Sequence, residues 1–428
     1  MEVYTSIAVT PKKANYLYPL VLVVSLFFLW GFAHNLNPIL IPHLKKACQL
    51  TDLQSAFIDS AFFIAYFVMA LPAGFFMKKY GYKSGILVGL LLFALGAFLF
   101  FPAAETRMFS FFLLALFVIA SGLTFLETAA NPYVNALGAA ETSTQRLNFA
   151  QSFNGLAATL APLLGGIFIL SGTDLTQAEF QQMSAQEVER YLTAEAKSVQ
   201  VPYLLIGAVV LAVALLLWRT RLPRIQEEEA GSSGKTGSLF KEKNLMRGVM
   251  AQFFYIGAQV GIASFFIRFA FFSAGIPEKS AAMYLSGALL AFMVGRFAGT
   301  FLMRFIMPHR LLALYSLANV LLLAVAVVSQ GMFSIYALIV VQFFMSIMFP
   351  TIFSLSLKGL GHRTKEASSL LIMSIVGGAI LPVFMGKISD MFSIQVAYLV
   401  PALCFLFVLY FALRATNPKK ADLVRGRS

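Results

Sequence analysis

Two carboxylates interrupt otherwise long apolar runs, Asp59 and Glu127; the other 17 of the 19 acids fall in loops, in tails or at the very ends of spans. A charged carboxylate at mid-membrane costs at least about 2.5–3.5 kcal/mol on insertion scales, so such a group is retained for function, or else it is paired to a base or to backbone. A buried carboxyl that can exist in its neutral form gives a carrier the means to take up and give back a proton. Glu127 has company: Thr124, Glu127, Thr128 and Asn131 recur at spacings of three and four, which places them on one helix face. That face should look into a cavity. Asn148, Gln151, Ser152 and Asn154 follow in the next apolar run, and the first contributes His34, Asn35 and Asn37. Amides both donate and accept, which suits sugar hydroxyls. Trp30 stands one turn before His34, where its ring could stack on the apolar face of a sugar. The alternative for each amide taken singly is that it ties helices together. Gln252, Tyr255 and Gln259 form a second polar face later in the chain, with Asn319, Gln342 and Ser346 beyond it, and are expected on the opposite wall. Arg268 and Arg296 are read as lying near helix ends, snorkelling or bonded to carbonyls.

The elements that hold these residues follow from composition. The chain has 428 residues, 59% hydrophobic and only 12% charged. That excludes a soluble enzyme and a disordered protein, which need a far more polar surface. The apolar runs are continuous rather than alternating, so helices span the membrane, not a barrel. Breakers divide the chain into twelve spans, at about 17–44, 51–77, 83–102, 109–138, 145–171, 200–221, 246–274, 279–305, 310–329, 332–359, 364–390 and 395–415. With the N-terminus inside, 23 Lys and Arg fall in cytoplasmic segments and 7 in outer loops. Both termini are therefore expected in the cytoplasm. The net charge of +13 belongs to those loops and calls for no nucleic-acid partner. No cleavable signal peptide is read at the start.

A polar, glycine-rich stretch at 222–245 reads as a cytoplasmic linker between six-helix bundles at 1–221 and 246–428. The outer loop 172–199 should carry a short surface helix near Gln186–Ala196. Pro162 and Gly166 in the fifth span are matched by Pro382 and Gly386 in the eleventh, and Pro132 in the fourth by Pro350 in the tenth. Matching prolines imply matching kinks, whose freed carbonyls can line a cavity. The architecture expected is an all-α polytopic membrane protein of twelve transmembrane helices in two bundles related by a pseudo-two-fold axis. Neither Cys48 and Cys404 nor the four histidines show metal-ligand spacing, so no metal, cofactor or disulfide framework is expected.

The loop Gly74-Phe75-Phe76-Met77-Lys78-Lys79-Tyr80-Gly81-Tyr82-Lys83 resembles the G-x-x-x-D-R-x-G-R-K loop of the major facilitator superfamily, with Lys78 where an acid is usual. The stretches SLFFLWGFAHNLNPILIP, SAFFIAYFVMALPAGFFMKK, LETAANPYV, LNFAQSFN, RFAGT and FPTIFSLSLKGLG resemble its fucose–proton symporter family. The resemblance implies the major facilitator fold and ion-driven import of fucose, glucose, galactose or a related sugar by alternating access. It places the family's helix-four acid on Glu127, its helix-one amides on Asn35 and Asn37, and its helix-five amides on Gln151 and Asn154. The family's helix-one acid falls on Pro38. Asp59, about 12 Å from the outer end of its span against about 27 Å for Glu127, is then the second candidate for ion coupling, as a proton or sodium site. The expected partners are a monosaccharide, a proton or sodium ion and the lipid of an inner membrane; a monomer is expected. The alternatives are a sodium-coupled hexose or N-acetylhexosamine transporter and a sugar receptor that does not transport. A membrane enzyme is not expected, because no catalytic constellation is visible.

Overall fold

The computed structural model describes residues 17–50, 52–168, 182–222 and 238–415, and the regular structure among them is helical. Lipid offers no hydrogen bonds, so each apolar stretch closes its backbone bonds as helix. The first span is α1 (Leu17–His34) followed by α2 (Asn37–Ala47). Spans two and three join as α3 (Asp52–Thr106), which leaves helical geometry at Gly81, φ 82° and ψ 171°. That φ is open to glycine and strained for other residues, so Gly81 fixes where span two turns into span three. The next four elements are α4 (Phe109–Ala136), α5 (Ser143–Phe168), the surface helix α6 (Ala185–Lys197) and α7 (Gln200–Arg219).

The last six spans begin with α8 (Lys243–Ala274), α9 (Glu278–Leu302) and α10 (Pro308–Val328). The tenth is split into α11 (Met332–Met345) and α12 (Met348–Leu357), and the eleventh into α13 (Thr364–Met373) and α14 (Gly377–Met391). A short α15 (Ile394–Ala397) leads into α16 (Leu399–Arg414). Among the described residues, nine stretches are long and apolar enough to cross a membrane. One of them, Ser60–Thr106, holds two crossings about Gly81. With α1 and α5 these make the twelve expected spans.

Three spans expected to be continuous are interrupted. Proline has no N–H for the carbonyl four residues back and clashes with it. Pro38 therefore ends α1 at His34 and restarts the chain as α2, and Pro350 accompanies the break at Ser346-Ile347. The eleventh span passes through a 3₁₀ turn at Ser374–Val376. There Gly377 lies against the Phe253 carbonyl of α8 and Gly378 against the Phe63 ring of α3, too close for a side chain at either position.

The surface helix is real and slightly longer than expected. Ser184 and Glu187 form a reciprocal capping box at its start. It is tied to α2 through Glu195, whose carboxylate lies 3.3 Å from His43 and 3.4 Å from Lys46. It is tied to the end of α3 by the pairs Arg107–Glu189 and Lys197–Glu105, each at 2.8 Å. Pro162, Gly166 and most of the linker lie outside the residues or side chains described.

The first and last six spans touch mainly at one end, that of Gly81. Lys78 pairs with Glu366, Thr144 with Ser354 at 2.8 Å, Asn148 donates to Thr351 at 3.1 Å, and Ser354 donates to Asn135 at 2.6 Å. Towards the opposite end the polar contacts are sparser: beyond the bond from Arg296 to Gln151, the Thr159 hydroxyl of α5 lies 3.7 Å from Met293 Sδ of α9. The molecule is closed at the Gly81 end.

Candidate functional site

Glu127 lies about two-thirds along α4, in a stretch from Ile119 to Val134 that is buried throughout. Its Oε1 accepts from the Tyr66 hydroxyl of α3 at 2.6 Å. Thr124 and Thr128 donate to carbonyls of their own helix, at 2.8 and 2.6 Å, so their hydroxyls are neutralised locally. Asn131 donates to the Glu127 carbonyl at 2.9 Å and accepts from Gln151 of α5 at 3.0 Å. The polar face of α4 is thereby extended onto α5, and from α5 it continues into the last six spans through Arg296 of α9.

Arg296 is 4% exposed. Its Nε donates to the Ser346 carbonyl at 3.0 Å and its Nη1 to the Gln151 carbonyl at 2.5 Å. The same Nη1 lies 3.5 Å from Gln151 Oε1 and from Asn154 Oδ1, and the guanidinium sits over the Phe292 ring at 4.6 Å. The Ser346 carbonyl is available because Pro350, four residues on, has no N–H to give it. The counterpart in α4 behaves likewise. Pro132 frees the Thr128 carbonyl, and Ser368 of α13 donates to it at 3.1 Å. Both freed carbonyls are thus taken by side chains of other helices. Arg296 carries a charge into this network, and that charge acts on Glu127 electrostatically.

The structure brings together Glu127, Asn131, Gln151 and Asn154. Asn131 is fully buried and spends its amide on protein partners. Asn154 is half-buried and rests against Gly31 of α1, where a Cβ would come within 2.7 Å of its amide nitrogen. Asn35 is half-buried at the end of α1 and donates to the Gly31 carbonyl at 2.7 Å. His34 is exposed, its ring edge 5.7 Å from that of Phe62. Gln259 is half-buried on α8 and makes no hydrogen bond among the described residues. Trp30 departs from expectation. It is 1% exposed and packs on Phe27 with ring centroids 4.1 Å apart, so in this conformation it has no face free for a sugar. The side chains of Asn37 and Asp59 lie outside those described.

Two members of the site were missed from sequence. Arg296 was read as a carbonyl-bonded residue near a helix end; it does bond carbonyls, but at the centre of the site. The available signal was Pro350, which frees a carbonyl for a buried donor. Tyr66 carried no signal, because a tyrosine in an apolar run resembles any other aromatic. Gln252 and Tyr255 of α8 are fully buried, and their polar side-chain atoms have no partner.

Comparison with known proteins gives a consistent picture. The profile of the Major Facilitator Superfamily matches residues 22–375. The chain is 43% identical to the L-fucose-proton symporter of Escherichia coli (strain K12), over 94% of each chain. It is 41% identical to a glucose/galactose transporter of Brucella abortus biovar 1 (strain 9-941), covering 94% of this chain and 95% of that one. Among solved structures it superposes on a major facilitator transporter, FucP, in the outward conformation. The TM-score is 0.87 at 42% identity, over 94% of this chain and 99% of that one.

Proposed function

Since the chain belongs to the major facilitator superfamily, and within it to the fucose–proton symporter family, we propose that it imports a monosaccharide together with a proton across the inner membrane. The observation that carries this reading is Glu127, a carboxylate in a buried stretch of α4 joined through Tyr66, Asn131 and Gln151 to amides and to Arg296. In this reading Glu127 takes the proton, and Gln151, Asn154 and Asn35 bind sugar hydroxyls, with Asn37, His34 and Gln259 around them. Bundles at 1–221 and 246–428 rock about this centre, and the segment 222–245 links them. With both termini cytoplasmic, the Gly81 end faces the cytoplasm and the molecule is open outward.

The rocking gives coupling a physical basis. Arg296 belongs to the second bundle and Glu127 to the first. Opening the Gly81 end draws Arg296 away from Gln151, which changes the charge that Glu127 meets. A ligand can shift such an equilibrium only by its differential affinity for the two states. A sugar and a proton bound at one centre supply that difference together.

The test is uptake into vesicles with a panel of fucose, glucose, galactose and N-acetylhexosamines, under separate proton and sodium gradients. A proton gradient should drive accumulation. Glu127→Gln keeps shape and loses titration, so it should retain sugar exchange and lose accumulation. Full accumulation by that variant would remove Glu127 from the coupling role. Accumulation driven by sodium alone would move attention to Asp59, the other carboxylate in the spans, and to Pro38, which leaves helix one without an acid.

A further inference from the structure

Glu127 has one side-chain partner among the described residues, the Tyr66 hydroxyl. Asn131 bonds to the backbone carbonyl of Glu127 and leaves its carboxylate alone. Tyr66 is 3% exposed and Glu127 8%, so water competes little for this bond. Both residues sit in the first six spans, on α3 and α4. The bond therefore persists when the two sets of spans move apart, unlike the bond from Arg296 to the Gln151 carbonyl, which crosses between them.

We propose that Tyr66 is a positioning residue that sets the pH at which Glu127 takes up and gives back its proton. This rests on the reading of Glu127 as the proton carrier. A phenol is a donor at every pH the cell meets, and the charged carboxylate accepts from it more strongly than the neutral acid does. The hydroxyl thus favours the charged form, while burial favours the neutral one. When the external proton arrives, it bonds to a carboxylate oxygen, and Tyr66 keeps its own proton. Fixing Oε1 also orients the carboxyl, whose Oε2 has no hydrogen-bond partner among the described residues.

The other titratable or charged groups near this carboxylate are few. Arg296 acts on it from α9, and His34 stands at the end of α1 near Phe62. The remaining groups on the helices packed against α4 lie towards the two ends: Lys78, Lys79, Tyr80, Tyr82 and Lys83 on α3, Arg146 on α5, and Lys365 and Glu366 on α13 at the Gly81 end, and Asp52, Asp59 and Glu105 on α3 towards the other, Asp59 two turns before Tyr66. Tyr133 lies on α4 itself, towards the Gly81 end.

The test is proton-driven accumulation against external pH, beside sugar exchange at equal pH on both sides, for the parent, Tyr66→Phe and Glu127→Gln. Tyr66→Phe should keep exchange. The pH at which accumulation falls by half should rise by about one unit, a tenfold gain in proton affinity. Fluorotyrosine incorporated at position 66 is a stronger donor of nearly the same size and should move the midpoint the other way. A midpoint unchanged in both forms, or exchange lost along with accumulation in Tyr66→Phe, overturns the role of Tyr66. Should Tyr66→Phe fail to fold, the fluorotyrosine form alone decides, by whether its midpoint moves down. Full accumulation by Glu127→Gln overturns the parent reading instead, whatever position 66 does.

Discussion

The amides around Glu127 are chemically alike, and their hydrogen bonds separate them. Asn131 is sealed at 0% exposure with donor and acceptor both engaged, so it binds helices to each other. Asn154 is half-buried and has only a distant contact from Arg296, so its amide is free to meet a sugar hydroxyl. Asn154→Ala should therefore weaken sugar binding by about 0.5–1.5 kcal/mol and leave thermal stability near that of the parent. Asn131→Ala leaves the buried Gln151 amide without its acceptor, while the Glu127 carbonyl keeps its helix bond from the backbone N–H of residue 131. It should lower the unfolding midpoint in detergent by an amount corresponding to about 1–3 kcal/mol. Calorimetric titration with sugar and a melting curve on each variant distinguish these outcomes. If both variants lost affinity equally and melted alike, the division between binding amide and structural amide would be wrong. The sequence placed both residues in one cluster by helical spacing, which reports the face of a helix. It does not report which neighbour satisfies an amide, because that depends on how α4, α5 and α9 cross.

At the level of elements, hydropathy located all twelve spans, because a membrane demands long apolar helices and little else can satisfy it. The breaks within spans one, ten and eleven escaped notice. Pro38 and Pro350 were visible, and the freed carbonyls were anticipated, but not that chain continuity would yield there. The surface helix α6 was legible from its charges, and its attachment is electrostatic. Hydrogen bonds from Ser184 hold the Glu187 carboxyl below the usual carboxylate range, and Lys197 and Gln200 do the same for Glu105. A lowered folded-state value means that stability is present above the ordinary carboxylate range and is lost as pH falls through the lowered value. The amides of Val188–Lys197 should lose hydrogen-exchange protection on acidification below about pH 4 and keep it between neutrality and mild alkali. Glu187→Ala should be less protected at pH 7 and less sensitive to acid. Protection in the parent that stayed flat down to about pH 2 would mean that packing, not these carboxylates, holds α6.

At the scale of the molecule, the balance between its two faces rests on the contacts at the Gly81 end, and one of those contacts is ionic. Lys78 stands in the loop position where the superfamily usually has an acid, and its partner Glu366 lies in the first turn of α13, so the pair joins the two sets of spans. The polar bonds beside it, from Ser368 to the Thr128 carbonyl and between Asn148 and Thr351, are short-range and need the same closure. Lys78 is 64% exposed and Glu366 25%, so solvent screens the attraction, and such a pair contributes about 0–1 kcal/mol. Replacing attraction by repulsion in Lys78→Glu should disfavour closure here by about 1 kcal/mol, roughly fivefold in the ratio of the two conformations. Glu366→Lys should act in the same direction. The double exchange, Lys78→Glu with Glu366→Lys, should restore the parent ratio, because it rebuilds the pair with its charges swapped. Spin labels placed across the opposite end of the bundle report the ratio directly as two distance populations. The single variants should gain the population in which that end is closed, the double variant should not, and the difference should shrink at 1 M salt, where the screening length is about 3 Å. Single variants with parent-like populations would leave the neutral hydrogen bonds of α4, α5, α12 and α13 as the contacts that hold this end shut.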